Sequence, residues 1–155
     1  MTYDARQIAN WFVTRVKQDN KVLSVMSLLK LTYIAHGWRL EMTNGPLFQN
    51  KIQAWKYGPV IPDVYNSFRS QGVNVQNPVS LVASDISNED SAFLEQIYNI
   101  YGLMSAFQLS DLTHEVGGPW DIATKLGGSY ADIPNELIKS HYEMKRMRSK
   151  QAAHV

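Results

Sequence analysis

One stretch of sequence organises the chain, Gln53-Ala54-Trp55-Lys56-Tyr57-Gly58-Pro59-Val60-Ile61-Pro62-Asp63-Val64-Tyr65. Gly58-Pro59 predicts a turn, because proline fixes φ and lacks a backbone donor. Before this turn a strand would place Trp55 and Tyr57 on the same face. Pro62 then suits the first turn of a helix. The stretch therefore predicts a strand-to-helix corner that is packed by aromatic side chains.

Length and composition predict one soluble domain that spans residues 1–155. Hydrophobic residues make up 45% and charged residues 19%, which is the balance of an ordinary globular protein. The formal net charge of +1 gives no overall attraction to nucleic acid or anionic lipid. Cysteine is absent, which excludes disulfides and thiolate sites, and no apolar run is long enough to span a bilayer. We therefore expect a cytoplasmic protein without membrane contact.

Hydrophobic periodicity predicts a predominantly helical α+β fold, a single compact domain with a central buried helix and a small hairpin or short sheet. A first helix spans Asp4 to Gln18. A second helix begins at Ser24 or Ser27 and is apolar on nearly all sides up to Met42, so we expect it at the centre. Further helices are predicted at about 62–70, 87–104, 110–115, 121–126 and 134–150. Extended segments are predicted at 47–48, paired with 52–57, and at 79–83.

Motifs for catalysis or metal binding are incomplete. His114-Glu115 resembles the start of a zinc-protease helix, but that motif needs a second histidine four residues later, where the chain has Gly118. The histidines, at positions 36, 114, 141 and 154, show no metal-ligand spacing. We therefore expect no enzyme and no metal or organic cofactor. A hydrolase-like alternative remains, in which His114, Glu115, Asp111 and His36 converge in a cleft.

The predicted last helix, from about 134 to 150, is basic. Its cations outnumber its acids, with Lys139, Lys145, Arg146, Arg148 and Lys150 against Glu136 and Glu143. Such a run is usually a solvated face, so we expect no nucleic-acid partner. A DNA-binding regulator that uses this helix is the second alternative.

Three blocks carry a family resemblance: Leu29–Tyr33 with Ala35–Trp38, then Ala54–Pro62 with Tyr65, and finally Leu112–Glu115 with Gly118–Trp120. In this order and at these separations they resemble the Panacea antitoxin domain, which includes SocA-like antitoxins and GepA-like, phage-associated proteins. Together the blocks cover most of residues 5–125. The motif residues are Lys30, Tyr33, His36, Gly58, His114, Glu115, Pro119 and Trp120.

The resemblance implies an antitoxin that neutralises a toxin by binding it directly. The toxin is usually encoded beside the antitoxin, and a phage-borne member would counter a toxin of the host defence. In the SocA-like case the antitoxin is also an adaptor that delivers its toxin to a protease. A protease or chaperone is therefore a further expected partner.

The aromatic corner is where we expect a toxin to bind, because interfaces combine aromatic anchors with a few orienting charges. The partner-binding residues predicted there are Trp55, Lys56, Tyr57, Pro59 and Arg69. Trp55 and Tyr57 are equally compatible with a place in the core. We also expect this corner to contact His114, Pro119 and Trp120, with His114 bonded to a backbone carbonyl or to Tyr57 instead of acting as a base.

Overall fold

The structure, a computed structural model, describes residues 2–153, so His154 lies outside the described residues. Within that range the chain forms seven α-helices, one three-stranded sheet and a short 3-10 helix, Arg69–Gln71, that extends α3. The elements are α1 (Ala5–Gln18), α2 (Val25–Thr43), β1 (Gln53–Trp55), β2 (Gly58–Val60), α3 (Pro62–Phe68), α4 (Asn88–Tyr101), α5 (Ala106–Thr113), α6 (Pro119–Gly127), β3 (Ala131–Asp132) and α7 (Asn135–Ala153). The predicted fold class, α+β and predominantly helical, is confirmed.

Helix α2 lies at the centre of the fold, as its apolar circumference predicts. The Ser24 side chain caps it by accepting a hydrogen bond from the Ser27 backbone N–H, and Asn44 ends it in the left-handed conformation. Helices α1, α3, α4, α5 and α7 and strand β2 all pack against it. Because neighbours enclose the helix, its polar side chains are buried together with its apolar ones: Ser27, Lys30, Thr32 and His36.

The hairpin turn lies two residues earlier in the chain than predicted. Lys56 and Tyr57 form a two-residue loop, and Trp55 pairs with Gly58, so Gly58-Pro59 belongs to β2 and not to a turn. Pro59 is tolerated there because β2 is an edge strand of the sheet. Gly58 has a φ of +117°, which side-chain-bearing residues rarely adopt.

The predicted pairing of Leu47-Phe48 with the following strand is wrong. Phe48 makes an isolated parallel bridge with Tyr3, while β1 pairs antiparallel with β2 on one edge and β3 on the other. Strand β3 has two residues, too few to show an alternating pattern in the sequence. Its pairing with β1 brings the chain after α6 back to the hairpin.

Two other predictions are corrected. No strand forms at 79–83 in the described chain. The backbone of Val79 bonds to a side chain instead, because Asn10 donates to its carbonyl and accepts from its N–H, each over 2.8 Å. Helix α5 begins at Ala106, before its predicted start, because Ser105 and Gln108 form a capping box. The helix ends at Thr113, so Glu115 lies beyond it.

Helix α7 packs along α2 at a position where α2 has a glycine. A Cβ on Gly37 would lie 2.2 Å from the ring of Tyr142, which is 3% exposed. The neighbouring His36 donates from Nε2 to Oδ1 of Asn135, at the start of α7, over 2.9 Å. Burial lowers the pKa of His36 to about 4, so its ring is neutral at pH 7.

Within residues 2–153 no helix has both the length and the apolar character that membrane crossing requires.

We predict that Gly37→Ala destabilises the protein by about 1–3 kcal/mol, because the added methyl group overpacks the contact with Tyr142. The sign is informative, since glycine to alanine in a helix is otherwise stabilising by about 1 kcal/mol. The measurement is urea unfolding followed by circular dichroism. Gly45→Ala is the matched control, because a Cβ there meets nothing closer than 3.7 Å. A Gly37→Ala variant as stable as the control would contradict the close α2–α7 contact.

Candidate functional site

The aromatic corner and the later motif block meet in the structure, as the sequence predicts. Trp120, in α6, donates from its indole Nε1 to the backbone carbonyl of Trp55 over 2.7 Å. The His114 ring packs edge to face on Trp120, with centroids 4.3 Å apart. His114 Nδ1 lies 2.8 Å from the Ser110 carbonyl oxygen, so the imidazole is held by a backbone carbonyl of its own helix.

The polar groups of the hydrolase-like alternative are held by separate partners. Glu115 binds Lys145 at 2.9 Å and lies 3.6 Å from His141, whereas His114 faces Trp120. His36 binds Asn135 at the start of α7. Among residues 2–153, no three histidine or carboxylate side chains come together as a metal-ligand group.

A groove of about 500 Å³ lies between the first turns of α2 and the hairpin. Tyr65 and Tyr130 form its aromatic wall, each packing edge to face on Trp55 with centroids 5.1 and 5.5 Å apart. Apolar side chains of α2, including Met26 and Leu29, form the opposite wall. We call this feature the hairpin groove. Its lining comprises Ser24, Val25, Met26, Leu29, Lys30, Trp55, Lys56, Tyr57, Val60, Tyr65, Arg69, Gly72, Val73 and Tyr130.

Lys30 lies at the floor of the hairpin groove and is 1% exposed. Its Nζ donates to the backbone carbonyl of Pro59 over 3.0 Å. Burial lowers its pKa to about 8, since desolvation disfavours the charged ammonium. A Cβ on Gly58 would lie 2.9 Å from Nζ and 3.2 Å from Cε1 of His114. Glycine at position 58 therefore leaves the space that the ammonium occupies.

Four of the five residues predicted to bind a partner line the hairpin groove. Trp55 is half-buried in its wall, and Lys56, Tyr57 and Arg69 are exposed at its rim. Pro59 is buried beneath the groove, where its carbonyl holds Lys30.

Sequence reasoning missed several lining residues. Tyr130 follows a Gly-Gly-Ser loop and has a φ of +66°, and nothing local marks it as a wall of this groove. Met26 and Leu29 lie on a helix that is apolar all round, so periodicity does not indicate which side faces the groove.

Comparison with known proteins finds a matching family profile and a curated relative. The profile of the family described as "Antitoxin SocA-like, Panacea domain" matches residues 28–121, which include most of the groove lining. A curated relative, Antitoxin SocA of Caulobacter vibrioides (strain NA1000 / CB15N), is 30% identical over 160 residues, covering 93% of this chain and 85% of the relative. No solved structure matches the chain at a significant level.

We predict that the stability of the wild-type protein rises relative to that of Lys30→Met between pH 7 and 10. Folded Lys30 releases its proton near pH 8, whereas the unfolded chain retains it to about 10.5, so the unfolded state binds more protons in that window. The free energy of unfolding therefore increases with pH, by up to about 3 kcal/mol across the window. Urea unfolding of both proteins at several pH values measures the difference between their free energies of unfolding. Taking this difference removes the contribution of tyrosine titration, which both proteins share. A difference that is constant with pH would contradict a buried, titrating Lys30.

Proposed function

Since the chain belongs to the SocA-like Panacea antitoxin family, we propose that it is an antitoxin that neutralises a partner toxin by binding it directly. The hairpin groove is the proposed binding surface, and the whole described chain acts as one Panacea-like unit. The observation that carries this assignment is the gathering of Trp55, Lys56, Tyr57 and Arg69 around one groove within the family-matched part of the chain.

The groove has the features of a protein-binding surface. Its walls are apolar and aromatic, and two charged side chains, Lys56 and Arg69, stand at the rim. Interfaces of this composition concentrate their binding energy in a few aromatic and basic side chains. Trp55 is already held by Tyr65 and Tyr130, so little side-chain freedom is lost when a partner covers it.

A binding role accounts for the polar motif residues better than catalysis does. His114 supports Trp120, and Glu115 joins the chain after α5 to Lys145 of α7. Each of these contacts fixes one element against another. We propose that the residues suspected of hydrolysis are structural in this protein.

Co-expression with the toxin encoded beside this chain, or with a host toxin for a phage-borne copy, tests the proposal. We predict that the wild-type chain restores growth and that Lys56→Glu and Arg69→Glu each weaken the complex about tenfold, because each reverses a rim charge. Growth assays and titration calorimetry of the purified pair provide the two measurements. Lys51→Glu is the matched control, since it makes the same charge change at an exposed lysine outside the groove.

The outcomes separate the possible modes of action. Restored growth with a stable complex and an unchanged toxin half-life supports neutralisation by masking. Restored growth with a shortened toxin half-life supports the adaptor role instead. Restored growth without any detectable complex would refute direct binding and would favour the enzymatic alternative.

A further inference from the structure

We propose that the hairpin groove receives an extended acidic segment of the protein partner and that one carboxylate of this segment binds the Lys30 ammonium. The inference rests on the proposed function, because it names the part of the partner that the same groove binds.

The state of Lys30 is the first observation. Its ammonium has three N–H donors, and among the described residues one acceptor, the Pro59 carbonyl, is in place. Other cations of this chain are joined to carboxylates, for example Arg39 to Asp90 and Lys145 to Glu115. A buried charge without a counter-ion is costly, and an arriving carboxylate at the groove floor would supply the missing charge and acceptors.

The charge of the groove is the second observation. Lys30, Lys56 and Arg69 all line it, and its lining contains no carboxylate. The N-terminus of α2 also opens into the groove, and the first turn of α2 contains no acidic residue to offset the positive end of the helix dipole. Charge complementarity therefore selects an anionic occupant.

The shape and chemistry of the walls select a peptide among anionic occupants. Trp55, Tyr65 and Tyr130 face the apolar side of α2, so the groove offers apolar contact on both sides of a basic floor. An extended segment places successive side chains on opposite faces, so that carboxylates meet the cations while apolar side chains meet the walls. Tyr65 and Tyr130 pack edge to face on the Trp55 ring and cover part of it, an arrangement that favours side-chain contact over base stacking.

The test uses an acetylated, amidated octapeptide in which glutamate and leucine alternate. An octapeptide of alternating lysine and leucine and an eight-nucleotide oligothymidylate are the comparison probes. The indole N–H signals of the tryptophans in ¹⁵N-labelled protein report binding, and the ¹⁵N signal of the Lys30 ammonium reports its protonation. We expect the acidic peptide to shift the Trp55 signal and to raise the pKa of Lys30, an effect that a purely structural lysine would not show.

Variants assign the interaction to the groove. Lys30→Met is expected to weaken binding of the acidic peptide at least tenfold, and Arg69→Glu, an exposed substitution that leaves the core intact, to weaken it several-fold. Lys51→Glu should leave it unchanged. The proposal is overturned if the acidic peptide fails to bind at millimolar concentration, if it binds equally well to Arg69→Glu, or if the oligonucleotide binds more tightly.

The peptide and the toxin experiments fail independently. Peptide binding in the groove together with failure to rescue growth would contradict the antitoxin role alone. Rescue through a stable toxin complex, with no response of Lys30 in that complex or with the peptide, would contradict the carboxylate receptor alone.

Discussion

The enclosure of α2 is the constraint on which the rest of the structure depends. A helix of 19 residues that is apolar around its circumference must be covered on all sides, and no single neighbour is wide enough to do so. Five helices and the hairpin therefore pack around it. Four of its polar residues, Ser27, Lys30, Thr32 and His36, are buried with it, and of these Lys30 and His36 bond to other elements.

Those partners differ on the two sides of α2. Towards α7, His36 binds Asn135 and is neutral, so that contact carries no buried charge at pH 7. Towards the hairpin, Lys30 bonds to the Pro59 carbonyl, and its pKa of about 8 leaves it mostly protonated at pH 7. The contact on the α7 side is thus neutral, while on the hairpin side Lys30 keeps its charge beside a groove that it helps to line.

The sequence predicted what is encoded locally. Helix α2 follows from its apolar pattern and the Ser24 cap, which depend on neighbouring residues. The position of the hairpin turn does not follow from local sequence. Gly58 packs against Lys30 and His114, which are distant in sequence and leave no room for a side chain there. The residue types of Trp55, Lys56 and Arg69 mark them as interface candidates, and all three line one groove. The place of Tyr130 depends on β3 returning to β1, which no local pattern indicates.

Lys30 is the residue whose type fits its environment least well, because it is a lysine buried in the central helix. An apolar side chain at this position would suit a helix that is buried on all sides, and a lysine there carries a desolvation cost that local propensity does not offset. Beside it, Gly58 adopts a conformation that residues with a side chain rarely adopt, so both Lys30 and Gly58 depart from the ordinary rules of their elements. Natural folds concentrate such departures at functional sites, because elsewhere each departure only reduces stability. The aromatic contacts around Trp55 and Trp120 hold the hairpin against α6 and so keep the Pro59 carbonyl in position over Lys30. The motif residues of the corner therefore act together, with the aromatic rings as the scaffold and the buried ammonium as the group that the scaffold positions.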